Sequence, residues 1–312
     1  MTSMKAVRIY SYGGPEVLSF EDAPRPHPGA GEVLVRVRAS GVNPVDWKVR
    51  EGYLREGVHH TLPLILGWDV SGEIEAVGFG VNRLKLHDEV YSRPDIARDG
   101  SYAEYIVIRE SEVALKPKTL DHIQSAAIPL AGLTAWQTLF GAGFLQAGQK
   151  VLIHAGAGGV GGYAVQLAKW KGAVVFATSS TRNLDLLRQL GADEAIDYTA
   201  GPFEEAVKNV DLVLDTMGGD TQAHSWKTLK RGGILVSIVD PPDQDLAVAH
   251  GVRAAYVFIE PNAFQLAEIA ELADSGVLKP VVETVLPLAE ARRAQELSQS
   301  GHARGKIVLE IG

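Results

Sequence analysis

The stretch that decides the fold of this chain is VLIHAGAGGVGGYAVQLAK, residues 151–169. A short apolar run leads into Gly156, Gly158 and Gly161, which have GxGxxG spacing, and the residues after them are typical of a helix. In such a loop the first glycine permits a tight turn, the second lets the backbone approach a pyrophosphate, and the third allows close helix packing. Amides and the dipole at the helix N-terminus favour a bound anion. The stretch therefore predicts a strand, loop and helix that bind a dinucleotide.

Strands and helices alternate along the residues that surround this loop. Apolar runs predict parallel strands at 151–154, 174–178, 212–215, 234–239 and 254–258. Helices are predicted at 130–141 and from Val160, Asn183 and Thr221. This alternation is typical of a parallel sheet with helices on its faces.

The residues before position 129 follow a different pattern. In the run VLVRVRA, residues 33–39, apolar and charged side chains alternate, which predicts a half-buried strand. Similar short runs at 71–77, 88–91 and 102–108 are separated by turn residues. They predict an antiparallel, barrel-like module. A helix at 288–300 and a strand at 306–311 are expected to return to this module.

Composition limits the class of protein. The 312 residues, 46% hydrophobic and 22% charged, are typical of a soluble globular protein of two domains. A net charge of -8 argues against a broad nucleic-acid surface. Residues 1–10 are followed by no apolar signal segment, and no apolar run approaches the ~18 residues of a membrane span. We therefore expect a cytoplasmic protein with a small-molecule substrate, and no nucleic-acid or membrane partner.

Cysteine is absent from the sequence. Disulfides, thiolate catalysis and zinc sites with sulfur ligands are thereby excluded. The adjacent His59 and His60 are expected to be solvated, so that no metal site is predicted.

The residues about 20 positions beyond the first glycine bear on the choice of cofactor. An NAD-specific site would have an Asp or Glu there, and none is present. The second strand instead ends in hydroxyl side chains and one arginine: Thr178, Ser179, Ser180, Thr181 and Arg182. These side chains can donate hydrogen bonds and one positive charge to a 2′-phosphate, which favours NADPH over NADH. Alternatively, Ser180 or Thr181 caps the helix that follows.

Five motifs together resemble the zinc-independent quinone oxidoreductase branch of the medium-chain dehydrogenase/reductase superfamily. They are the glycine loop, MKAVRIYSYGGPEVL at 4–18, ASGVNPVDWKVREG at 39–52, GWDVSGEIEAVG at 67–78 and GADEAIDY at 191–198. The resemblance covers essentially the whole chain. It implies a GroES-like, barrel-type catalytic domain at 1–128, completed by 270–312. It also implies an inserted NADPH-binding Rossmann domain with a doubly wound parallel sheet at 129–269, and a homodimer.

The same resemblance bears on the metal. Zinc-dependent relatives have a cysteine in the segment equivalent to 41–46 and Gly-His-Glu in the segment equivalent to 67–69. This sequence has Asn43 in the first and Gly67, Trp68 and Asp69 in the second. Without a metal to polarise a carbonyl group, hydride transfer needs an acceptor that is already electrophilic, such as a quinone or an enone. Two alternatives remain: an enoyl-thioester or alkenal reductase, and an NADPH-binding sensor without turnover.

Individual roles follow from the resemblance. It implies that Asn43 positions or hydrogen-bonds the substrate, although an Asn-Pro turn would also explain this residue. Tyr53 is a candidate proton donor or gate. Asp46 and Trp47 are candidates to line the same cleft, although Asp46 could equally cap the following helix. The candidates for contact with the cofactor are Thr134, Gly156, Gly158, Gly159, Val160, Gly161, Ser179, Ser180, Arg182, Tyr198, Val239, Phe258, Arg304 and Lys306.

Overall fold

A computed structural model of the protein describes residues 2–301 and 303–312. The chain forms two compact units. The first comprises Met1–Leu130, Glu260–Gly276 and Pro280–Gly312, and the second comprises Ala131–Ile259 and Val277–Lys279. No helix of the described residues is long and apolar enough to cross a bilayer.

The strands are numbered in chain order. They are β1 (Ser3–Ile9), β2 (Ser19–Pro24), β3 (Glu32–Val42), β4 (Leu64–Ile65), β5 (Val70–Val77), β6 (Glu89–Ser92), β7 (Tyr105–Arg109), β8 (Val113–Leu115), β9 (Lys150–Ile153), β10 (Val174–Ser179), β11 (Glu194–Asp197), β12 (Val210–Asp215), β13 (Leu229–Ser237), β14 (Arg253–Tyr256), β15 (Val282–Pro287) and β16 (Lys306–Glu310).

The α-helices are numbered in the same way. They are α1 (Pro44–Arg50), α2 (His122–Ala126), α3 (Pro129–Trp136), α4 (Gly159–Trp170), α5 (Leu184–Leu190), α6 (Phe203–Ala206), α7 (Gly219–Ser225), α8 (Gln244–His250), α9 (Ala263–Asp274) and α10 (Ala291–Gln299).

Two β-sheets form the first unit. One has the order β2-β1-β4, and the other has the order β15-β16-β3-β5-β6-β8, with β7 also paired to β3. Strand β16 is antiparallel to β3, with Ile307 opposite Val42. In β3 the side chains of Val33, Val35 and Val37 are buried in one core, as the alternation of this run predicted. The GroES-like, mostly antiparallel architecture is thereby confirmed.

The second unit contains a parallel sheet of order β11-β10-β9-β12-β13-β14. This is the doubly wound order, in which β9 and β12 meet where the direction of winding reverses. Because ligands of such sheets bind beyond the carboxyl ends of the strands at this point, the order places the glycine loop after β9 at the ligand-binding edge. The predicted Rossmann fold is confirmed.

Some element bounds differ from the prediction. The helix predicted at 130–141 is α3 followed by a π-helical turn, Gln137–Ala142. In this segment the Thr138 hydroxyl donates to the carbonyl oxygens of Thr134 and Ala135, at 2.7 and 3.1 Å. Such local hydrogen bonds compete with regular α-helical ones. Helix α9 groups with the first unit, although its first seven residues were assigned to the nucleotide-binding domain.

Candidate functional site

The glycine loop joins β9 to α4 by close backbone packing. Ala155 has a φ of 47°, in the left-handed region, and the chain then turns through Gly156. A Cβ atom on Gly161 would lie 2.2 Å from the carbonyl oxygen of Ala155. A Cβ atom on Gly156 would lie 2.8 Å from Leu187 and 2.9 Å from Ala177. Glycine is therefore required sterically at both positions, as the motif predicted.

The N-terminus of α4 suits an anion. Gly158 is the N-cap and Gly159 and Val160 begin the helix, so that no acidic side chain lies in its first turn. The first amides of a helix lack intrahelical acceptors and carry a partial positive charge. A Cβ atom on Gly158 would lie 3.2 Å from the carbonyl oxygen of Ala155, which leaves little room for a side chain. The loop thus fits the pyrophosphate of a dinucleotide.

The hydroxyl groups after β10 have different surroundings. Thr178 is buried, and its Oγ1 is 3.1 Å from Nδ1 of His154 and accepts from the Ala155 amide at 3.3 Å. Thr181 donates to Asp197 at 2.6 Å. The expectation that these two hydroxyls face a ligand was wrong, because both are used within the unit.

The other candidates after β10 keep their expected places. The Ser179 hydroxyl donates to the carbonyl oxygen of Ser180 at 3.1 Å, and Arg182 is exposed. These contacts assign no ligand to Ser179 or Arg182, so that their role stays a prediction.

Three further cofactor candidates follow strands of the parallel sheet. Tyr198 comes directly after β11 and is 56% exposed. Val239 and Phe258 were expected to end strands, but β13 and β14 stop two residues earlier. Both residues nevertheless lie beyond the carboxyl ends of neighbouring strands, the ligand-binding edge of such a sheet. Thr134 is buried in α3.

A buried polar cluster lies in the first unit. The Asn43 side chain donates from Nδ2 to Oδ2 of Asp69 at 2.8 Å. The Lys306 ammonium donates to Oδ1 of Asn43 and, at 3.0 Å, to the same Oδ2 of Asp69. The Leu130 amide donates to the other oxygen of Asp69 at 2.5 Å. These side chains come from the end of β3, the start of β5 and the start of β16, and Asn43, Asp69 and Lys306 are at most 4% exposed.

Asp46 and Tyr102 extend this cluster. Oδ2 of Asp46 accepts from the Asn43 amide and from the Tyr102 hydroxyl, each at 2.8 Å. Its Oδ1 is buried without a hydrogen-bond partner among the described residues. Burial raises the pKa of Asp46 to about 7, although the hydrogen bond from Asn43 opposes the shift. Asp46 therefore carries a proton in a large fraction of molecules at neutral pH.

Lys306 was expected to contact the cofactor, but in the structure its ammonium hydrogen-bonds Asn43 and Asp69 of the cluster. Its ammonium is 4% exposed and pairs with Asp69. This pairing also decides how well a zinc ion would fit, since the ammonium bonds one side chain from each of the two segments where zinc-dependent relatives have a cysteine and Gly-His-Glu. A cation at that point would meet a like charge and an amide that already accepts a hydrogen bond. The residues present do not fit zinc.

Several other predicted residues lie outside the cluster. Tyr53 is 67% exposed, packs edge-on against Trp47 and has a raised pKa because its hydroxyl hydrogen-bonds Glu51. Arg304 is exposed and donates its amide to Glu283 at 2.7 Å. The expectation that His60 is solvated was wrong: it is 8% exposed, with Nε2 2.8 Å from the carbonyl oxygen of Ile96.

Sequence reasoning missed two residues of the polar cluster, Asp69 and Tyr102, for different reasons. Asp69 lies in the quoted GWD motif, so that its position beside Asn43 could have been suspected from the resemblance. Tyr102 gave no such signal, because its contact with Asp46 spans 56 residues of sequence. His154 was also missed as a polar residue of the second unit. Its Nε2 is 2.9 Å from the Ser225 hydroxyl, and burial lowers its pKa to about 4.

Comparison with known proteins agrees with this geometry. Residues 29–118 match the family model described as "Alcohol dehydrogenase GroES-like domain", and residues 190–309 match the one described as "Zinc-binding dehydrogenase". The chain is 37% identical to the NAD(P)H oxidoreductase RTN4IP1, mitochondrial, of Danio rerio, over 99% of this chain and 92% of that protein. It is 38% identical to the NADPH-dependent alkenal/one oxidoreductase, chloroplastic, of Arabidopsis thaliana, over 98% and 79%.

The fold of the chain is also similar to that of a solved structure. The quinone oxidoreductase from Coxiella burnetii superimposes with a TM-score of 0.91 at 35% sequence identity, and the match covers 100% of both chains. The full-length matches, the doubly wound sheet and the glycine loop agree with one another. The chain therefore belongs to the medium-chain dehydrogenase/reductase superfamily of oxidoreductases, as its motifs predicted.

Proposed function

We propose that this protein reduces quinones or α,β-unsaturated carbonyl compounds with NADPH, by hydride transfer and without a metal ion. One observation carries the proposal: the Lys306 ammonium bonds Asn43 and Asp69, which belong to the two segments where zinc-dependent relatives have a cysteine and Gly-His-Glu. A site of this kind offers hydrogen bonds and one fixed positive charge, but no Lewis acid. The names of the alkenal/one and quinone oxidoreductase relatives support the same class of acceptor.

Asn43 is suited to hold a carbonyl oxygen. Its side-chain oxygen accepts from Lys306, and one of its two amide hydrogens is donated to Asp69. A carboxamide has two N–H donors, so that the second remains available. Because its two other bonds fix the plane of the amide, this donor is preorganised for an oxyanion that develops during reduction.

Asp46 is suited to hold the proton that reduction requires. With a pKa of about 7, its carboxyl group lies near the optimum for an acid that works at neutral pH. We place that proton on Oδ1, the oxygen without a partner among the described residues, because Oδ2 already accepts from Asn43 and Tyr102. The nicotinamide supplies the hydride when NADPH is bound.

The glycine loop and the residues after β10 support the choice of NADPH. Ser179, Ser180 and Arg182 stand where an NAD-specific site needs a carboxylate. The one nearby carboxylate of β11, Asp197, accepts from Thr181 at 2.6 Å and from the Thr199 hydroxyl at 2.6 Å. Since these bonds already use Asp197, it is poorly placed to select a ribose hydroxyl.

Oxidation of NADPH across a panel of quinones, enones, enoyl thioesters and simple ketones tests the proposal. We expect turnover with quinones or enones, a lower kcat/KM with NADH, no reaction with simple ketones and no effect of a chelator. The reason is that only a conjugated acceptor is electrophilic enough without a Lewis acid.

The panel also separates the competing functions. Preference for enoyl thioesters would favour a thioester reductase. Tight NADPH binding without oxidation by any acceptor would favour a sensor protein, and inhibition by the chelator would contradict the metal-free mechanism.

A further inference from the structure

Arg93 is a buried cation with one donor atom, Nε, that lacks a partner within the part of the chain that the structure describes. It follows β6 directly and is 3% exposed. Its Nε is buried and has no hydrogen-bond partner among residues 2–301 and 303–312. Buried arginines are as a rule paired, because removal of a charge from water is costly. Arg93 therefore needs an explanation that the fold alone does not supply.

The position of Arg93 follows from the strand register. Val70 of β5 lies opposite Ser92 of β6, and Ser71 lies opposite Tyr91. Asp69 and Arg93 are the next residues beyond the recorded pairs, and the Asp69 carboxylate acts electrostatically on Arg93, as a continuation of this register by one residue would require. Opposite residues of an antiparallel pair project from the same face of the sheet. Arg93 thus lies on the face that carries the Asn43, Asp69 and Lys306 cluster.

The carboxylates around Arg93 are committed to other donors. Asp69 accepts from Asn43, Lys306 and the Leu130 amide. Asp95 and Glu112 both accept from Arg109, each at 2.9 Å. These carboxylates and Asp46 act on Arg93 only at longer range, and they do not offset the burial that lowers its pKa. The Nε donor of Arg93 thus has no acceptor among the described residues.

The chemistry of this donor set is specific. A guanidinium group has five N–H donors in a planar fork and stays charged even when buried. Its best partner is an anionic pair of oxygens such as a carboxylate, which it binds with two parallel hydrogen bonds. A neutral carbonyl group would use only one of these bonds and would leave the charge unbalanced.

We propose that Arg93 binds a carboxylate of the acceptor, and that the preferred substrates are therefore conjugated carbonyl compounds that carry a carboxylate near the reducible bond. This inference rests on the proposed function and narrows its substrate class. Asn43 holds the carbonyl oxygen, and Arg93, on the same face of the sheet, holds the acid group. Arg93 is thus a specificity-determining residue.

A matched pair of acceptors tests the inference: 3-benzoylacrylic acid, an enone with a carboxylate, and its neutral methyl ester. For the wild-type protein we expect a higher kcat/KM with the acid. Arg93→Gln should lower kcat/KM for the acid by about 10- to 100-fold, the range for loss of a charged hydrogen-bonding partner. The same variant should change the value for the ester by less than about threefold, and Arg93→Lys, which keeps the charge and loses the fork, should fall between. Arg36→Gln, on an exposed position of β3, is the matched control.

A binding measurement makes the test independent of turnover. The saturated acid 3-benzoylpropionic acid is titrated by calorimetry into wild type, Arg93→Gln and Arg93→Lys, each checked for an unchanged thermal unfolding midpoint. Weaker binding to Arg93→Gln supports the inference. Equal binding to all three proteins, or a wild-type preference for the ester, overturns it.

Failure of the proposed function would look different. If wild type reduces neither acceptor but binds the saturated acid through Arg93, the reductase proposal fails and the anion site stands. If Arg93→Gln does not fold, the test rests on Arg93→Lys alone. If that variant prefers the acid over the ester as strongly as wild type does, and binds the saturated acid equally well, then Arg93 does not bind the carboxylate with two hydrogen bonds and the inference is wrong.

Discussion

Asp46 is the residue whose titration lies closest to neutral pH. Because its folded pKa is raised to about 7, its protonated form dominates below that value and the carboxylate dominates above it. If this proton is the one delivered during reduction, activity is high in acid and falls as pH rises through about 7. The stabilising effect of the neutral carboxyl group has the same sign: it is complete below the unfolded pKa of about 4 and is lost through about 7.

The variant Asp46→Asn tests this assignment. Asparagine keeps an oxygen that can accept from Asn43 and Tyr102, but it has no titratable proton. We expect kcat to fall by about 100-fold or more and the decline of the pH–rate profile near 7 to disappear. Asp99→Asn is the control, since Asp99 has a raised pKa and lies outside the cluster, where it accepts from the Ile65 amide. A profile that keeps its inflection in Asp46→Asn would remove Asp46 as the proton source.

For single residues, the sequence indicated which residues belong to the site better than it indicated their hydrogen-bond partners and burial. Asn43 could be singled out from the resemblance, and the structure places it at the centre of the cluster. The pairing of Lys306 with Asp69 could not be predicted, because it joins residues 237 positions apart. The pKa of Asp46 was equally inaccessible, since it depends on complete burial by residues that are remote in sequence.

At the scale of the element, the turn from β9 into α4 depends on one close approach. A Cβ atom at position 161 would lie 2.2 Å from the carbonyl oxygen of Ala155, whereas one at position 162 would meet nothing closer than 3.7 Å. We expect Gly161→Ala to open the loop, weaken NADPH binding by about tenfold or more and lower the unfolding midpoint. Gly162→Ala, in the same helix, should bind normally and gain up to about 1 kcal/mol of stability.

Fluorescence titration of NADPH, with thermal unfolding of both glycine variants, measures these effects. Wild-type affinity in Gly161→Ala would show that the loop tolerates the side chain and that close packing is not what selects glycine. Loss of affinity in both variants would instead point to a general disturbance of α4.

Elements with strong local signals were predicted most accurately. The strand at 151–154 and the helix from Val160 each lie within one residue of their observed bounds. Strands β1 and β2 were missed, because β2 exposes charged residues on its open face and neither run is bounded by a helix. The π-helical turn could not be foreseen from periodicity, since it extends an apolar helix by six residues of similar composition.

At the scale of the whole molecule, the edge strand β14 bears on assembly. It pairs with β13 on one side and ends the sheet order of the second unit. The Val257 amide donates to the carbonyl oxygen of Ser237 in β13. Because successive backbone amides of a strand point to opposite sides, the Tyr256 amide points to the open edge of the sheet. An edge of this kind is a template for pairing with another strand. We propose a homodimer formed across β14.

Light scattering after gel filtration tests the dimer. Wild type should have twice the mass of the chain. Tyr256→Pro, which removes the outward amide, should be monomeric, while Tyr256→Ala keeps that amide and should remain dimeric. A monomeric wild-type protein contradicts the proposal, and dissociation of both variants would assign the contact to the tyrosine side chain instead.

The division of the chain into units was within reach of the sequence, because the change from short alternating strands to strand–helix alternation falls near residue 129. The assignment of α9 to the first unit could not be predicted from the sequence, because its apolar face gives no indication of which unit buries it.

The sequence distance between Asn43 and Lys306 has a consequence for biosynthesis. Their side chains meet across 263 residues, and residues 131–259 of the second unit are all made in between. During translation, Asn43 and Asp69 emerge long before their ammonium partner exists. The second unit can thus fold on the ribosome before the last strands of the first unit, β15 and β16, have been synthesised. The polar cluster is then the final part of the molecule to be completed, and a nascent chain arrested before residue 306 would hold an uncompensated carboxylate at Asp69.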